Sequence, residues 1–401
     1  MLHPPPSMAR RILEPPRLRI GDVSERHATW MELFFDLVFV VAVSEVAEHL
    51  SGGMTTAGAI QFLLLFGPVW WAWIGATFYA NRFGTDDLGD RLFLLAQMAA
   101  GVGLAINARN AFQETSAGFA LSYAVFRYIL VARYAWTSRL VPEARAFTLL
   151  IARGFGLSAT IWAVSAVVPP PARFILWGIA LMADFVTPIS AGRLQSRLAP
   201  HRRHLPERFG LFTIIVLGES IGAVVAGLEG IRWSWLGALT ALLGLALAFS
   251  FWWVYFEGLD ASAVRAALEA GRLAPYEVWI YAHLPLTAAI AAAGMGVRLT
   301  ILHDTEAVLS PAVRWLVCSA AGLYFASLAA IYSAKAAAGS RRCTKAGARA
   351  LWAGAAAILL VGALGTRLTP AGVLALVAAV GMLLIILDVA SPQALPERAS
   401  R

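Results

Sequence analysis

The chain has 401 residues, 59% of them hydrophobic and only 14% charged, and its mean hydropathy is +0.69. That balance excludes an ordinary soluble domain, in which the apolar share is about half and the charged share about a quarter. A net charge of +8 and a pI near 9.9 would suggest nucleic acid in a soluble protein, but here the arginines gather at the ends of apolar stretches, and the basic-patch reading fails.

A bilayer core about 30 Å thick is crossed by roughly 20 apolar residues of helix. Residues 1–29 are Pro- and Arg-rich with no apolar core, and read as a cytoplasmic tail rather than a cleaved signal. The expected spans of a first set, over residues 30–190, are Trp30 to Leu50, Ala57 to Ala80, Leu92 to Asn107, Ala117 to Thr137, Ala144 to Val168 and Ala172 to Ser190. A basic linker, residues 191–208, carries Pro200 and Pro206. The second set, over residues 209–390, runs Phe209 to Leu228, Trp235 to Phe256, Pro275 to Leu299, Ala312 to Tyr332, Ala348 to Gly365 and Pro370 to Val389. Residues 391–401 form a C-terminal tail.

The 32 Lys and Arg residues test this topology. The N-terminus, the loops after even-numbered spans and the C-terminus hold 23, among them Arg193, Arg197, Arg341, Arg342 and Lys345. The loops after odd-numbered spans hold five: Arg109, Arg173, Arg232, Arg298 and Arg367. Such asymmetry places both termini in the cytoplasm and requires an even number of spans.

The two sets share short motifs in the same order. Arg26-His27 ahead of Glu32-Leu33-Phe34-Phe35-Asp36 corresponds to Arg203-His204 ahead of Phe209-Gly210-Leu211-Phe212-Thr213; Trp70-Trp71 to Trp252-Trp253; Gly101 and Gly103 to Gly294 and Gly296; and Asp184 to Asp388. Internal repeats of this kind recur in transporter folds. The expected fold is an all-α membrane protein with twelve transmembrane helices arranged as two parallel six-helix repeats, since an even helix count gives both copies one orientation.

Ionisable residues inside spans carry the functional expectation, because a charge at mid-bilayer costs at least ~2.5 to 3.5 kcal/mol unless paired or hydrated. Glu32 and Asp36 are four apart and share a face of the first helix. Glu45, Glu48 and His49 form a second acidic face at its other end, beyond an apolar middle from Leu37 to Val43. In the second copy Thr213 replaces Asp36, and an acid comes six residues later as Glu219. Glu32, Asp36 and Glu219 are the candidate ion or proton path, with helices one and seven lining it. Arg127, Arg133, Arg153 and Asp184 are the candidate charge pairs: Asp184 lies within reach of Arg153 or Arg133, and Glu219 at a depth comparable with Arg127. Buried pairs of this kind serve orientation or switching more than stability.

Other features weigh less. Asp86, Asp87 and Asp90, amid arginines, read as a salt-bridged turn sooner than a cation site. His283 near Pro285 reads as a hydrogen-bonded histidine at a kink. Trp70, Trp71 and Trp73 lie within a span and face other helices. Cys318 and Cys343 are too few for a disulfide framework or a cysteine metal site, and no nucleotide, zinc or nucleophile motif occurs.

Three segments carry a resemblance: Arg26-His27 with Glu32-Leu33-Phe34-Phe35-Asp36-Leu37-Val38, Asn81-Arg82-Phe83-Gly84-Thr85-Asp86-Asp87, and Glu207-Arg208-Phe209-Gly210-Leu211-Phe212-Thr213 through Gly218-Glu219. They resemble the bacterial low temperature requirement A (LtrA) family, which implies a polytopic inner-membrane protein named after a cold-growth phenotype. Phe34 to Phe39 is also similar to the first-helix F-S-D-x-V-F motif of the endolysosomal and bacterial potassium channels built from six-helix repeats, with Phe35 in place of the serine. The resulting expectation is a cation channel or ion-coupled transporter, not an enzyme and without cofactor or metal. The alternative is a non-transporting sensor or assembly factor in cold or envelope stress. Expected partners are membrane lipids and a monovalent cation or proton, with no nucleic acid; homo-oligomerisation is left open.

Overall fold

The computed structural model describes residues 14–18, 28–192, 194, 198 and 204–390. Most of the expected tails and linker, including Arg26, His27 and Arg203, lie outside the described residues. All regular structure among the described residues is helical. In the first half the helices are α1 (Trp30–Ala47), α2 (Thr56–Phe83), α3 (Leu88–Ala108), α4 (Ser116–Leu140), α5 (Arg145–Ser165) and α6 (Ala172–Ser190). After them come α7 (His204–Glu229), α8 (Trp235–Glu257), α9 (Ser262–Glu269), α10 (Leu273–Tyr281), α11 (His283–Leu302), α12 (Pro311–Ala337), α13 (Lys345–Leu364) and α14 (Pro370–Val389).

The helix starts are written in the sequence. Thr29 and Glu32 form a capping box: Glu32 Oε2 accepts from the Thr29 N–H at 2.8 Å, and Thr29 Oγ1 accepts from the Glu32 N–H at 3.2 Å. Asp87, Ser234, Thr344 and Thr369 each cap the following helix by accepting from the N–H three residues on. Pro311 and Pro370 stand in the first turn, where a missing N–H costs nothing. Between these caps the sequences are apolar on every face, the mark of helices solvated by lipid or by one another.

Ten stretches are long and apolar enough to cross a membrane, with α10 and α11 counting as one stretch from Leu273 to Leu302. The chain is therefore a multi-pass membrane protein. The two remaining long helices, α1 and α4, carry three ionisable residues each: Glu32, Asp36 and Glu45, and Arg127, Arg133 and Arg139.

The structure differs from the sequence expectation in three places. α7 begins at His204, inside the expected linker, because His204 and Arg208 are buried rather than solvated. The eight-residue amphipathic helix α9 was not expected: it buries Val264, Ala267 and Leu268 and turns the Arg265–Glu269 pair (2.8 Å) outward. The stretch before Leu302 breaks at Ala282, three residues ahead of Pro285. His283 at that break contacts the Trp279 carbonyl (2.6 Å) and the Tyr255 hydroxyl (3.1 Å), the hydrogen-bonded histidine expected there.

The chain divides into two compact units, one joining Met1–Val46 to Leu64–Arg208, the other joining Ala47–Leu63 to Phe209–Arg401. In the first unit an aromatic core forms around Tyr79, Phe83, Tyr134, Phe147 and Phe155. Trp70, Trp71 and Trp73 are all buried, as expected. In the second, Phe251 and Tyr324 stack at 3.9 Å, and the Tyr324 hydroxyl donates to the Phe251 carbonyl at 2.5 Å.

Candidate functional site: a two-rung charge ladder

Within the first unit, Glu32 and Asp36 stand one turn apart on α1 and meet two basic side chains that are also one turn apart, His204 and Arg208, in the opening turns of α7. His204 Nε2 lies 3.1 Å from Glu32 Oε2, and Arg208 Nη2 lies 2.7 Å from Asp36 Oδ1. All four are buried. The i, i+4 spacing on both helices puts each pair on one face, so the contacts form two parallel rungs.

α2 completes the site. Trp73 Nε1 donates to Asp36 Oδ1 at 2.8 Å, and Thr77 Oγ1 lies 3.5 Å from Arg208 Nη2. The Asn81 amide lies 2.9 Å from His204 Nδ1. An amide NH₂ can only donate, so Nδ1 accepts and the ring proton sits on Nε2, directed at Glu32. Glu32 thereby receives the Thr29 N–H and the His204 N–H on one oxygen. Asp36 Oδ2 and Arg208 Nη1 find no hydrogen-bond partner among the described residues, leaving the second rung incompletely satisfied.

The matching family covers nearly this entire arrangement: the description "bacterial low temperature requirement A protein (LtrA)" matches over residues 27–386. The chain belongs to the LtrA family. An uncharacterized protein of Rhizobium meliloti (strain 1021) is 28% identical over 305 residues, covering 72% of this chain and 73% of that protein. No solved structure matches.

In this LtrA-family chain the remaining charges on the long helices are arranged otherwise than expected. Asp184 pairs with Arg127 (3.1 Å), not with Arg153 or Arg133, and accepts from the Tyr123 hydroxyl at 2.6 Å. Arg127 Nε in turn contacts the Tyr123 oxygen at 3.0 Å, and its guanidinium lies 4.4 Å from the Phe155 ring centre. Gly75 makes this possible, since a Cβ there would sit 2.8 Å from Arg127 Nη1. Arg133 reaches Asp90 instead, on the N-terminal turn of α3, and lies over the Tyr79 ring. Arg153 is exposed on α5 and belongs to no ion pair among the described residues. Glu219 is half-buried on α7 in the second unit, and Thr213, at the position corresponding to Asp36, is fully buried.

The other acidic end of α1 is a rim of ion pairs. Glu45 meets Arg109 at 2.9 Å in the first unit, and Glu48 meets Arg298 at 2.6 Å in the second. The acids of the Asp86–Asp90 turn all find protein partners: Asp86 pairs with Arg91 at 3.3 Å, Asp87 caps α3 and Asp90 takes Arg133 on α4.

Sequence reasoning missed His204, Arg208, Trp73, Thr77 and Asn81 as members of the site. The signal was the shared spacing of four, with Glu32 and His204, and Asp36 and Arg208, each separated by 172 residues.

Cys343, between α12 and α13, is buried, and burial pushes its thiol above the ordinary range, although neighbouring Lys335 and Arg342 act the other way. The thiolate is the nucleophile, so maleimide labelling at neutral pH is expected to be roughly tenfold slower at Cys343 than at a cysteine replacing exposed Ala346, and to rise with pH. Equal rates would show that the burial does not persist in solution.

Proposed function

We propose that this LtrA-family protein is an ion-coupled transporter of the bacterial inner membrane, that its coupling ion is a proton, and that Glu32 and Asp36 exchange it. One observation carries the reading: two carboxylates one turn apart on a membrane helix are buried, each against a basic side chain supplied by one other helix. Protonating Asp36 deletes an ion pair and leaves buried Arg208 uncompensated, and protonating Glu32 weakens the acceptor of the His204 N–H. The arrangement therefore has two states whose balance a proton shifts. A channel for hydrated cations would instead require carboxylates facing water, whereas Glu32 and Asp36 are 3% and 0% exposed.

The test is flux. Proteoliposomes enclosing a pH-sensitive dye should acidify when an inward negative potential is imposed, and Glu32→Gln should abolish the response while the protein remains monodisperse. Potassium or sodium entry without acidification, or undiminished acidification with Glu32→Gln, would overturn the assignment.

The same reading takes α1 and α4 as spans, giving twelve, with Glu219 as the acid of the second copy. What supports two repeats is the packing of the glycine motifs. A Cβ at Gly101 on α3 would lie 3.0 Å from Val38 on α1, and one at Gly294 on α11 would lie 2.9 Å from Ser220 on α7. Gly103 then meets Ser122 on α4, as Gly296 meets Val317 on α12. Corresponding glycines thus admit corresponding helices in each half. With both termini cytoplasmic, cysteines at Gly52 and Gly230 should label from outside and one at Ser340 only from inside, on a background lacking Cys318 and Cys343. Outside labelling at position 340 would refute the topology.

A further inference from the structure

The second unit contains an apolar cavity of about 540 Å³ between the start of α2 and helices α11, α12 and α13. Its walls are built from small side chains, Ala292, Ala320, Gly322, Ala326 and Ala355, with Phe62 closing one side. The one hydroxyl on the wall, Ser319, donates to the Trp315 carbonyl of its own helix at 2.5 Å. The walls therefore offer a polar ligand no free side-chain donor.

Three features define what fits. The size lies within the ordinary range for small-molecule sites, roughly 300 to 1,000 Å³. The shape is elongated: from Ser319 to Ala326 the wall follows α12 for about 10 Å at 1.5 Å per residue. The mouth lies beside Leu63, Leu323, Trp352 and Leu359, which are exposed on α2, α12 and α13, all membrane-crossing helices. The groove is thus continuous with the lipid-facing surface and opens onto hydrocarbon. An unfilled groove would forfeit the dispersion contacts of its lining.

We propose that this groove is a binding site for one acyl chain of a membrane phospholipid, seated alongside α12. The apolar walls exclude the headgroup, which would remain outside the groove, near the α1–α2 turn where Leu50 and Met54 form the groove's end.

The experiment uses the full chain in bilayers containing phosphatidylglycerol with a diazirine midway along one acyl chain. After irradiation, labelling at Phe62 and Ala326 should exceed that at the exposed lipid-facing Leu245 by about fivefold, as a retained ligand requires. Ala292→Phe and, separately, Ala326→Phe fill the groove from different walls, and either should return groove labelling to the Leu245 level without changing labelling at Leu245. If one variant is not monodisperse, the other decides. Groove labelling no higher than at Leu245 in the parent, or undiminished in a folded variant, overturns the proposal. So do cross-links joining two copies through the groove, which would make a second chain the occupant.

Discussion

An Asp184→Ala variant is expected to lose a large share of its stability. Asp184 is fully buried, and its carboxylate is the only ion-pair partner of the fully buried Arg127 among the described residues. Removing one member of such a pair costs about 3 to 5 kcal/mol, because the other charge remains buried and uncompensated. Native stability is itself only about 5 to 15 kcal/mol. Phe155 and the Tyr123 hydroxyl would remain beside Arg127, but neither carries a countercharge. Thermal unfolding followed by tryptophan fluorescence, together with gel filtration in detergent, checks this. The double variant Asp184→Leu/Arg127→Met replaces the pair with apolar groups and should recover most of the loss, since exchanging a whole buried pair is close to neutral. A single variant that melts with the parent would show that the triad is hydrated and weak.

The second large effect separates transport from scaffolding at the ladder. Asp36→Asn alone should be destabilised by about the same amount, as Arg208 loses its charge partner within a shell supplied by Trp73 and Thr77. Loss of flux in that variant would then be ambiguous. Asp36→Asn/Arg208→Gln removes both charges while keeping amide donors and acceptors in place. It should remain monodisperse and unfold near the parent temperature, yet carry no proton-linked flux through that rung. Normal flux in the stable double variant would eliminate Asp36 as an exchange site and leave Glu32 and His204. Collapse of the double variant would show that the rung serves folding.

Much of the molecule was legible because membrane helices obey one strong local rule. Backbone groups in hydrocarbon must be satisfied within the segment, so a long apolar run becomes a helix whatever its neighbours do. The caps at Thr29, Asp87, Ser234, Thr344 and Thr369 could be read for the same reason, since each needs only a side chain and an N–H three residues away. The acids on α1 and the arginines on α4 stood out by their cost. α9 was not legible: eight residues are too few for a periodic signal, and its folding depends on where Val264, Ala267 and Leu268 are buried.

The family, the helical class and the inventory of ionisable residues within apolar stretches follow from the sequence by itself, because each depends on composition or on local motifs. Partner choice does not. Asp184 takes Arg127 rather than Arg133 or Arg153 because Gly75 opens room for that one guanidinium, while Arg153 points outward on α5. The ladder joins residues 172 positions apart, and no local pattern says that the first turns of α7 fold against α1 instead of remaining in the linker. Helix periodicity determines which residues share a face. Only packing decides which face each one meets, and at this site that choice brings the end of a basic linker and two acids into a buried pair of rungs.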